Sequence, residues 1–432
     1  MSSSETWPQL TLKAAGVSLI DCDHRTPIAA EDGYPYIAIP QLKNGHISLE
    51  GVRRISREDY LDWTKKLKPQ ENDVIVVRRC NSGDSAHVPP GLDCAIGQNL
   101  IILRADGKIV LSEFLRWLIN SPDWWDQVSK YINVGAVFDS LRCRDIPNFE
   151  LTVPPIEHQR EISTLLGALD NRITLHRETN TTLEAIAQAL FKSWFVNFDP
   201  VRAKQEGREP EGMDADTAAL FPDCFEESEL GLVPKGWKVG VLGEIADTVR
   251  KQVSPTELHS DLHYLGLEHI PRQSLSLTEW GDASGLESAK AAFSEGDILF
   301  GKLRPYFHKV VIAPFNGVCS TDILVCRPKK ATYYGLVAMH LFSVRLVEYA
   351  SRLSNGAKMP RINWKDIAAY TICIPPSTIA VEYSKAVSQL FAKLTANVHI
   401  AQTLSTLRDT LLPRLISGQL RLPDAEALVE DV

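Results

Sequence analysis

The sequence predicts an α+β fold with an internal pseudo-two-fold repeat: two mixed α/β domains separated by two long antiparallel coiled-coil helices. Three observations lead to this prediction. Short motifs recur at a constant offset, each half contains strand-like apolar runs, and each half closes on a long stretch with heptad spacing. A period of more than 200 residues indicates a duplicated domain rather than a solenoid.

The repeat is clearest near the end of each half, where matching motifs stand 221 residues apart. The pairs are Asn133-Val134-Gly135-Ala136 with Ser354-Asn355-Gly356-Ala357, Asp145-Ile146 with Asp366-Ile367, and Val153-Pro154-Pro155 with Ile374-Pro375-Pro376. Earlier in each half the offset drifts, as insertions would cause. We therefore expect the same architecture twice, with loops of different length.

Each half contains apolar runs rich in β-branched residues that begin after turn residues, a pattern typical of strands. These runs are residues 73–78 and 100–103 in the first half and 297–302 and 323–326 in the second. Helical periodicity follows at 112–120 and 336–352. Each half therefore has both strands and helices, as a mixed domain requires.

The stretch after each double proline has a coiled-coil pattern. Apolar residues alternate at steps of four and three, and His176 and Asn180 occupy two positions of the first seam. A polar residue such as Asn180 either fixes helix register or lies partly exposed near the connector. The seam residues, which are also candidates for docking partner subunits, are Leu166, Leu169, Ile173, Asn180, Leu183 and Leu190 in the first helix and Leu390, Leu394, Leu404 and Leu411 in the second.

The domain boundaries follow from these patterns. We assign residues 1–153 and 236–375 to the two globular domains, and 154–199 and 376–432 to the two helical segments. Residues 200–235 form a connector rich in Gly, Pro and acids. Residues 156–235 carry 15 acidic and 8 basic side chains, whereas 236–376 carry 16 basic and 13 acidic, so most of the net charge of −8 lies away from the second domain.

The composition indicates a cytoplasmic protein. The eight cysteines are scattered without a CxxC pair, as in reduced cytosolic proteins that lack a zinc site. No apolar run is long enough to cross a membrane, and the N-terminus lacks a secretory signal. The sequence also lacks a P-loop and an Asn/Asp-Pro-Pro-aromatic methyltransferase motif, so we expect no catalytic site and no metal site.

The segment Pro154–Lys204, which begins PPIEHQREISTLLGALDNRI, resembles the central conserved region of the specificity (S) subunits of type I restriction-modification systems. The duplicated layout is similar as well, and the resemblance covers essentially the whole chain. The second copy departs from the pattern, because Pro375-Pro376 lacks the Glu-x-Gln that follows Pro154-Pro155.

This resemblance implies two target recognition domains, each reading one half of a bipartite, asymmetric site on double-stranded DNA. The helices would set the gap between the half-sites and dock two modification (methyltransferase) subunits, and restriction (motor-nuclease) subunits would join the complex. The chain itself would bind no cofactor, since S-adenosylmethionine, Mg and ATP belong to the partner subunits. The alternative function is a protein-interaction scaffold, that is, a silent or decayed specificity subunit.

Candidate DNA contacts lie in three places that recur in both halves, because Arg, Lys and Asn side chains on polar loops suit phosphates and base edges. Each place could equally be solvated surface or a plain turn. The first place follows the 73–78 strand and its counterpart, and the second is the glycine loop before the last strand. The third is the early loop, around His24-Arg25-Thr26 and Lys43-Asn44-Gly45-His46 in the first half and around Arg250-Lys251-Gln252, His269 and Arg272 in the second. The candidates are Arg25, Lys43, Asn44, Arg78, Arg79, Asn81 and Asn133 in the first half and Lys302, Arg304, Tyr306, Lys358 and Arg361 in the second.

Overall fold

The structure, a computed structural model, describes residues 7–23, 25–135, 138–354, 356 and 358–430, and of Glu430 only the backbone. His24, Ala136, Asn355 and Ala357 lie outside the described residues. The chain divides into two compact units, one running to Asn171 and resuming at Thr403, the other spanning Arg172–Gln402. Both long helices contribute residues to each unit.

The first unit is built on an antiparallel four-stranded sheet. Its continuous apolar strand Val74–Val77 is buried along its whole length, which explains why the run does not alternate with polar residues. The strand order is Val17–Asp21, Leu100–Ala105, Val74–Val77, Ser85–His87. The other strands of the unit are Arg53–Ile55, Tyr34–Ile37 and Ala95–Ile96 in one sheet, and the pairs Gln9–Thr11 with Glu150–Thr152 and Leu42–Lys43 with His46–Ile47.

The first unit also contains short helices, of which Ser112–Leu118 contacts strand Leu100–Ala105 of this sheet. Ser121 starts one of them by accepting a hydrogen bond from the Trp124 amide at 3.3 Å, and Pro122 occupies its first turn, where no amide proton is needed. The helices are Arg57–Trp63, Ser112–Leu118, Pro122–Tyr131 and Leu422–Glu430, with 3₁₀ turns at Ile39–Gln41 and Ile146–Asn148.

The second unit repeats the four-stranded sheet. Its order is Ala246–Val249, Ile323–Pro328, Ile298–Gly301, Val310–Ile312, the counterparts of the first unit's strands in the same arrangement. The structure therefore confirms the predicted internal repeat. The remaining strands are Gln252–Val253, Lys290–Phe293, Gly317–Cys319, His263–Leu265 and Gly281–Asp282 in a five-stranded sheet, and the pairs Lys238–Val241 with Thr371–Ile374 and Phe225–Ser228 with Gly231–Pro234.

The helical stretch predicted at 336–352 is two helices, Tyr334–Phe342 and Val344–Leu353. Ser343 separates them with an extended backbone, and its hydroxyl accepts a hydrogen bond from the Leu346 amide. The other helices are Asp199–Gln205, Ala215–Ala219, Leu242–Ile245 and Trp364–Ala368, with 3₁₀ turns at Pro255–Glu257, Pro305–Phe307 and Ala331–Tyr333.

The long helices span Ile156–Lys192 and Ser377–Ile416, and we call them the central helix and the C-terminal helix. The central helix continues as a π-helical turn, Ser193–Asn197, before Phe198 takes a left-handed φ of 56° and the chain turns into a new helix. The helix and its π-helical turn therefore end at Asn197, two residues before the end of the helical segment assigned to 154–199. No helix in the described part of the chain is both long enough and apolar enough to span a bilayer.

The predicted seam is mostly buried. Leu183, Leu190 and Leu390 are half-buried, while the other seven seam residues are buried. Within the second unit the helices pair antiparallel, since Asn180 contacts Leu394 and Asn397, and Ala187 contacts Tyr383. The aromatic residues at the end of the central helix, Trp194, Phe195 and Phe198, pack against Phe221, Tyr383 and Trp237 of the same unit.

A polar cluster lies within this seam. The Asn397 side-chain amide donates to Asn180 Oδ1 at 2.8 Å, Asn180 donates to the Leu394 carbonyl at 3.1 Å, and His176 Nδ1 lies 3.0 Å from Asn397 Oδ1. His176 and Asn397 are separated by 221 residues, the offset of the repeat. Repeat equivalents can face each other in an antiparallel pair only at its centre, so the cluster marks the middle of the helix pair.

Gln159 joins the start of the central helix to the first domain. It is fully buried, accepts a hydrogen bond from the Leu111 amide at 2.9 Å, and donates to the Ile109 and Pro154 carbonyls at 2.8 and 2.7 Å. The second copy has Ala380 at the equivalent position. The Glu-x-Gln motif therefore uses its glutamine as a structural connector in this chain.

Replacing Gln159 with Leu is expected to lower the free energy of unfolding by about 2–4 kcal/mol, because three backbone groups lose their partner in a buried site. Urea unfolding of the full chain measures the change. Glu157→Leu on the exposed face of the same helical turn is the control and should change stability by less than about 0.5 kcal/mol. Equal effects of the two substitutions would contradict the structural role of Gln159.

Candidate nucleic-acid interface

The first candidate surface is the loop that leaves strand Val74–Val77. Cys80 and Asn81 take left-handed φ values of 55° and 65°, which turns the chain sharply after the two arginines Arg78 and Arg79. The Arg78 carbonyl accepts hydrogen bonds from the Leu141 amide at 2.9 Å and the Ser82 hydroxyl at 2.8 Å. This loop is therefore held against the segment that precedes the last strand of the domain.

Four arginines line the cleft formed where these segments meet. The cleft has a volume of about 400 Å³, and its lining residues are Arg78, Arg79, Ser140, Leu141, Arg142, Cys143 and Arg144. The Arg78 Nε is buried and has no hydrogen-bond partner within the described structure, so one polar group beside the cleft is left uncompensated. Arginine side chains concentrated around an open cleft suit phosphate oxygens and guanine edges.

The second unit has the same construction. Leu303 bridges to Arg361, as Arg79 bridges to Ser140 in the first unit. The Arg304 amide donates to the Pro360 carbonyl at 2.8 Å, and Arg304 takes a left-handed φ of 49°. The loop after strand Ile298–Gly301 is thus held against the segment that precedes the last strand, as in the first unit.

The side chains in this second loop differ from those in the first. The Arg304 Nε is again buried without a partner in the described structure, while its Nη2 donates to the Lys358 carbonyl at 3.3 Å. Arg361 pairs with Asp322 at 3.0 Å, and Tyr306 has 54% of its surface exposed. The second loop therefore combines arginines with an acidic residue and an exposed aromatic ring.

The predicted site residues divide into two groups. The structure brings together Arg78 and Arg79 in one unit and Lys302, Arg304, Lys358 and Arg361 in the other. Asn81 and Tyr306 are exposed in the same loops, while the Asn133 amide is used by the Tyr131 and Ser140 carbonyls. These candidates therefore lie in two loops, and their contact with DNA stays a prediction.

The early-loop candidates lie outside the arginine cleft. Arg25 pairs with Asp23 at 2.6 Å and Asp62 at 2.9 Å and stacks over Trp63, so two acids already balance its charge. Lys43 and Asn44 belong to the hairpin Leu42–Ile47, in which Asn44 takes a left-handed φ of 49° and Lys43 is 59% exposed. Lys43 and Asn44 are therefore exposed at the tip of this hairpin.

Sequence reasoning missed Arg142 and Arg144, which line the cleft. The Arg-x-Arg spacing shortly after the glycine loop is a signal that could have identified them. Arg272, which belongs to the early-loop place of the second half, has its guanidinium 4.1 Å from the centre of the Phe307 ring, next to the Arg304 loop. Nothing in the local sequence indicates that contact, because Arg272 and Phe307 meet only in the folded domain.

The side chain of His87 connects the Leu42–Ile47 hairpin to the four-stranded sheet, and its imidazole ring is neutral in this position. Its Nδ1 lies 3.1 Å from the Gly45 carbonyl, and its Nε2 lies 3.3 Å from Arg116 Nη1. A neutral ring can donate from Nδ1 and accept at Nε2, whereas a charged ring would face the arginine as a donor. Burial and the Arg116 charge together lower the pKa of His87 to about 4.

We expect stability to fall as pH decreases from about 6.5 towards 4, because the unfolded chain binds a proton at His87 that the folded chain excludes. At pH 5 this group alone costs about 2 kcal/mol relative to pH 7.5. His87→Gln preserves a donor and an acceptor without a titrating ring, so its loss between the two pH values should be smaller. Urea unfolding at pH 7.5 and 5.0 tests this, and identical losses for both proteins would refute it.

Comparison with known proteins decides the family. The family model described as the type I restriction modification DNA specificity domain matches twice, over residues 23–185 and 234–406. The chain belongs to the type I restriction-modification DNA specificity family. The two matches contain the two arginine loops and most of both long helices, so this specificity subunit has two recognition domains, as the sequence predicts.

Two relatives span most of this specificity subunit. The MjaIX specificity subunit of Methanocaldococcus jannaschii is 25% identical over 87% of this chain and 83% of its own length. The HindI specificity subunit of Haemophilus influenzae is 24% identical over 85% of this chain and 90% of its own. Among solved structures, the type I S subunit from M. genitalium aligns over 96% of this chain and 97% of that chain with a TM-score of 0.51 at 15% identity, which supports the fold.

Proposed function

We propose that each recognition domain of this specificity subunit binds one half of a bipartite double-stranded DNA site through its arginine loop. The observation that supports this proposal most strongly is that the same arrangement of two segments occurs in both units. In both units a loop bearing Arg78 or Arg304 is bridged to the segment before the last strand, and in both the arginine Nε is buried without a partner among the residues that the structure describes.

The chemistry of the loops fits DNA in two ways. Arginine charge attracts the phosphate backbone and positions the protein, while a guanidinium that reaches the major groove can bind guanine O6 and N7 together. The two loops carry different side chains, with Arg142 and Arg144 in one and Tyr306 and Asp322 in the other. Two unlike reading surfaces on one chain suit an asymmetric site rather than a palindrome.

The partners follow from the same proposal. The long helices set the gap between half-sites and dock two modification subunits, which supply S-adenosylmethionine and the methyl transfer, while restriction subunits supply Mg- and ATP-dependent cleavage. This chain contributes recognition without catalysis and acts in the cytoplasm, where its eight free cysteines remain reduced. The central acidic connector lies outside both arginine loops, so the net charge of −8 does not oppose DNA binding.

Selection from a randomised duplex pool tests the proposal. The chain, purified with the modification subunits of its system, is expected to enrich duplexes that share two short motifs at a fixed spacing, with binding that weakens steeply as salt rises. A complex of correct stoichiometry that enriches no motif would contradict DNA reading and favour the scaffold function.

A further inference from the structure

The central helix carries two carboxylates that are almost completely buried, and each holds a loop of one recognition domain. Asp170 is 5% exposed and belongs to the first unit, whereas Glu184 is 4% exposed and belongs to the second. A buried carboxylate destabilises the fold unless charges or hydrogen-bond donors compensate it, so the partners of each group indicate its role.

Asp170 is compensated by charge. Its carboxylate lies 3.1 Å from Arg116 Nη1, 2.5 Å from Arg408 Nη1 and 3.8 Å from His46 Nε2. Arg408 belongs to the C-terminal helix, while Arg116 belongs to the recognition domain. Both guanidinium groups are mostly buried, with 19% and 15% of their side-chain surfaces exposed.

These contacts lead directly to the hairpin that carries Lys43 and Asn44. His46 lies in that hairpin and stacks edge-on against His87, whose ring bridges Arg116 and the Gly45 carbonyl. Removing the Asp170 charge would take the carboxylate away from the buried Arg116 guanidinium and leave Arg408 with its other partner, Asp409, in the place where the hairpin is held. Asp170 thus fixes the hairpin of the first domain from the helix side.

Glu184 is compensated by neutral donors. Its Oε1 accepts hydrogen bonds from the Ser276 hydroxyl at 2.6 Å, the Ser274 hydroxyl at 2.9 Å and the Leu275 amide at 3.0 Å. Burial is the main influence on this carboxyl and raises its pKa, against the effect of the serine hydrogen bonds. The donors need an acceptor atom, and they do not need a charge.

The loop held by Glu184 leads to the second arginine loop. The backbone amide of Gln273, the residue immediately before Ser274, donates a hydrogen bond to the His308 carbonyl at 2.9 Å. Arg272 stacks on Phe307 at 4.1 Å, and the Arg304 guanidinium lies 6.0 Å from the same ring. The contacts therefore run from Glu184 through residues 272–276 to Arg304.

We propose that Asp170 and Glu184 are positioning residues, one for each recognition domain: on the central helix, Asp170 holds the candidate DNA-contacting hairpin of Lys43 and Asn44, Glu184 holds the segment beside the Arg304 loop, and each so determines the accuracy of one half-site. This rests on the proposed function. Because the two anchors belong to different units, substitutions at them should affect different half-sites.

The test measures binding of the purified chain–modification complex to its selected site and to duplexes with single-base changes in either half-site. Asp170→Ala is expected to reduce discrimination about ten-fold in one half-site, and Glu184→Ala about ten-fold in the other. Glu157→Ala removes an exposed carboxylate from the same helix and should change neither. Relaxation of the same half-site, of both equally or of neither would overturn the proposal.

Conservative variants distinguish the roles of the two groups. Glu184→Gln keeps an acceptor oxygen for its three neutral donors and should restore discrimination, whereas Asp170→Asn removes the charge that two arginines require and should not. Asp170→Asn replaces Asp170→Ala should that variant fail to fold. Loss of discrimination in Glu184→Gln equal to that in Glu184→Ala would refute the positioning role. A wild-type complex that selects no split site would instead refute the proposed function.

Discussion

Replacing both Arg78 and Arg304 with alanine is expected to weaken binding to the selected DNA site by on the order of 10²–10³-fold. Each arginine follows the buried strand of its domain and lies in the loop that we propose contacts DNA, where a guanidinium can bind a phosphate or a guanine. Such contacts contribute about 1–3 kcal/mol each, and contacts to separate half-sites should add.

Fluorescence anisotropy with labelled duplex at several salt concentrations measures the effect. If the arginines contact phosphates, the salt slope should fall by about one for each contact removed. The control replaces two exposed arginines on helices of the same domains, Arg57→Ala with Arg345→Ala. An equal loss of affinity in the control would mean that general charge, and not the loops, drives binding.

Asn397→Leu is expected to lower the free energy of unfolding by about 2–4 kcal/mol, because it leaves Asn180 Oδ1 and His176 without partners inside the helix pair. The double variant Asn180→Leu with Asn397→Leu should recover much of that loss, since both amides are then replaced by apolar groups. Polar residues in a coiled-coil seam lower stability and specify register. The double variant should therefore also allow the two long helices to pair in more than one register.

Urea unfolding of the single and double variants separates these effects. Ile173→Leu, a conservative change of a buried residue on the same seam, is the control and should cost less than about 1.5 kcal/mol. If the double variant loses more free energy of unfolding than the two single variants lose together, the pairing of Asn180 with Asn397 would be contradicted. In DNA selection, the loosened pair should accept more than one gap length.

The repeat and the coiled-coil seam were predictable because they are carried by periodicity. The 221-residue offset reappears as the His176–Asn397 contact, and strand Val74–Val77 lies inside the run that its composition predicts. Helix ends were less predictable. The break at Ser343 depends on one hydroxyl capping an amide three residues later, within a stretch whose apolar periodicity continues across it.

The loops that carry Arg78 and Arg304 were predictable from matching positions in the two halves, whereas their surroundings were not. Arg142 enters the cleft because Leu141 bonds to the Arg78 carbonyl, a contact between residues distant in the sequence. Asp170 and Glu184 read as ordinary charged positions on a helix, and only the folded structure shows them buried among their partners.

The most direct test of DNA reading is a map of methylated adenine in cells that express the modification subunits with and without this chain. We expect methylation at one split motif, two short specific sequences around a fixed unread gap, only when this chain is present. If the complex assembles normally, methylation that is absent, or that is the same with and without this chain, would contradict DNA reading by this chain.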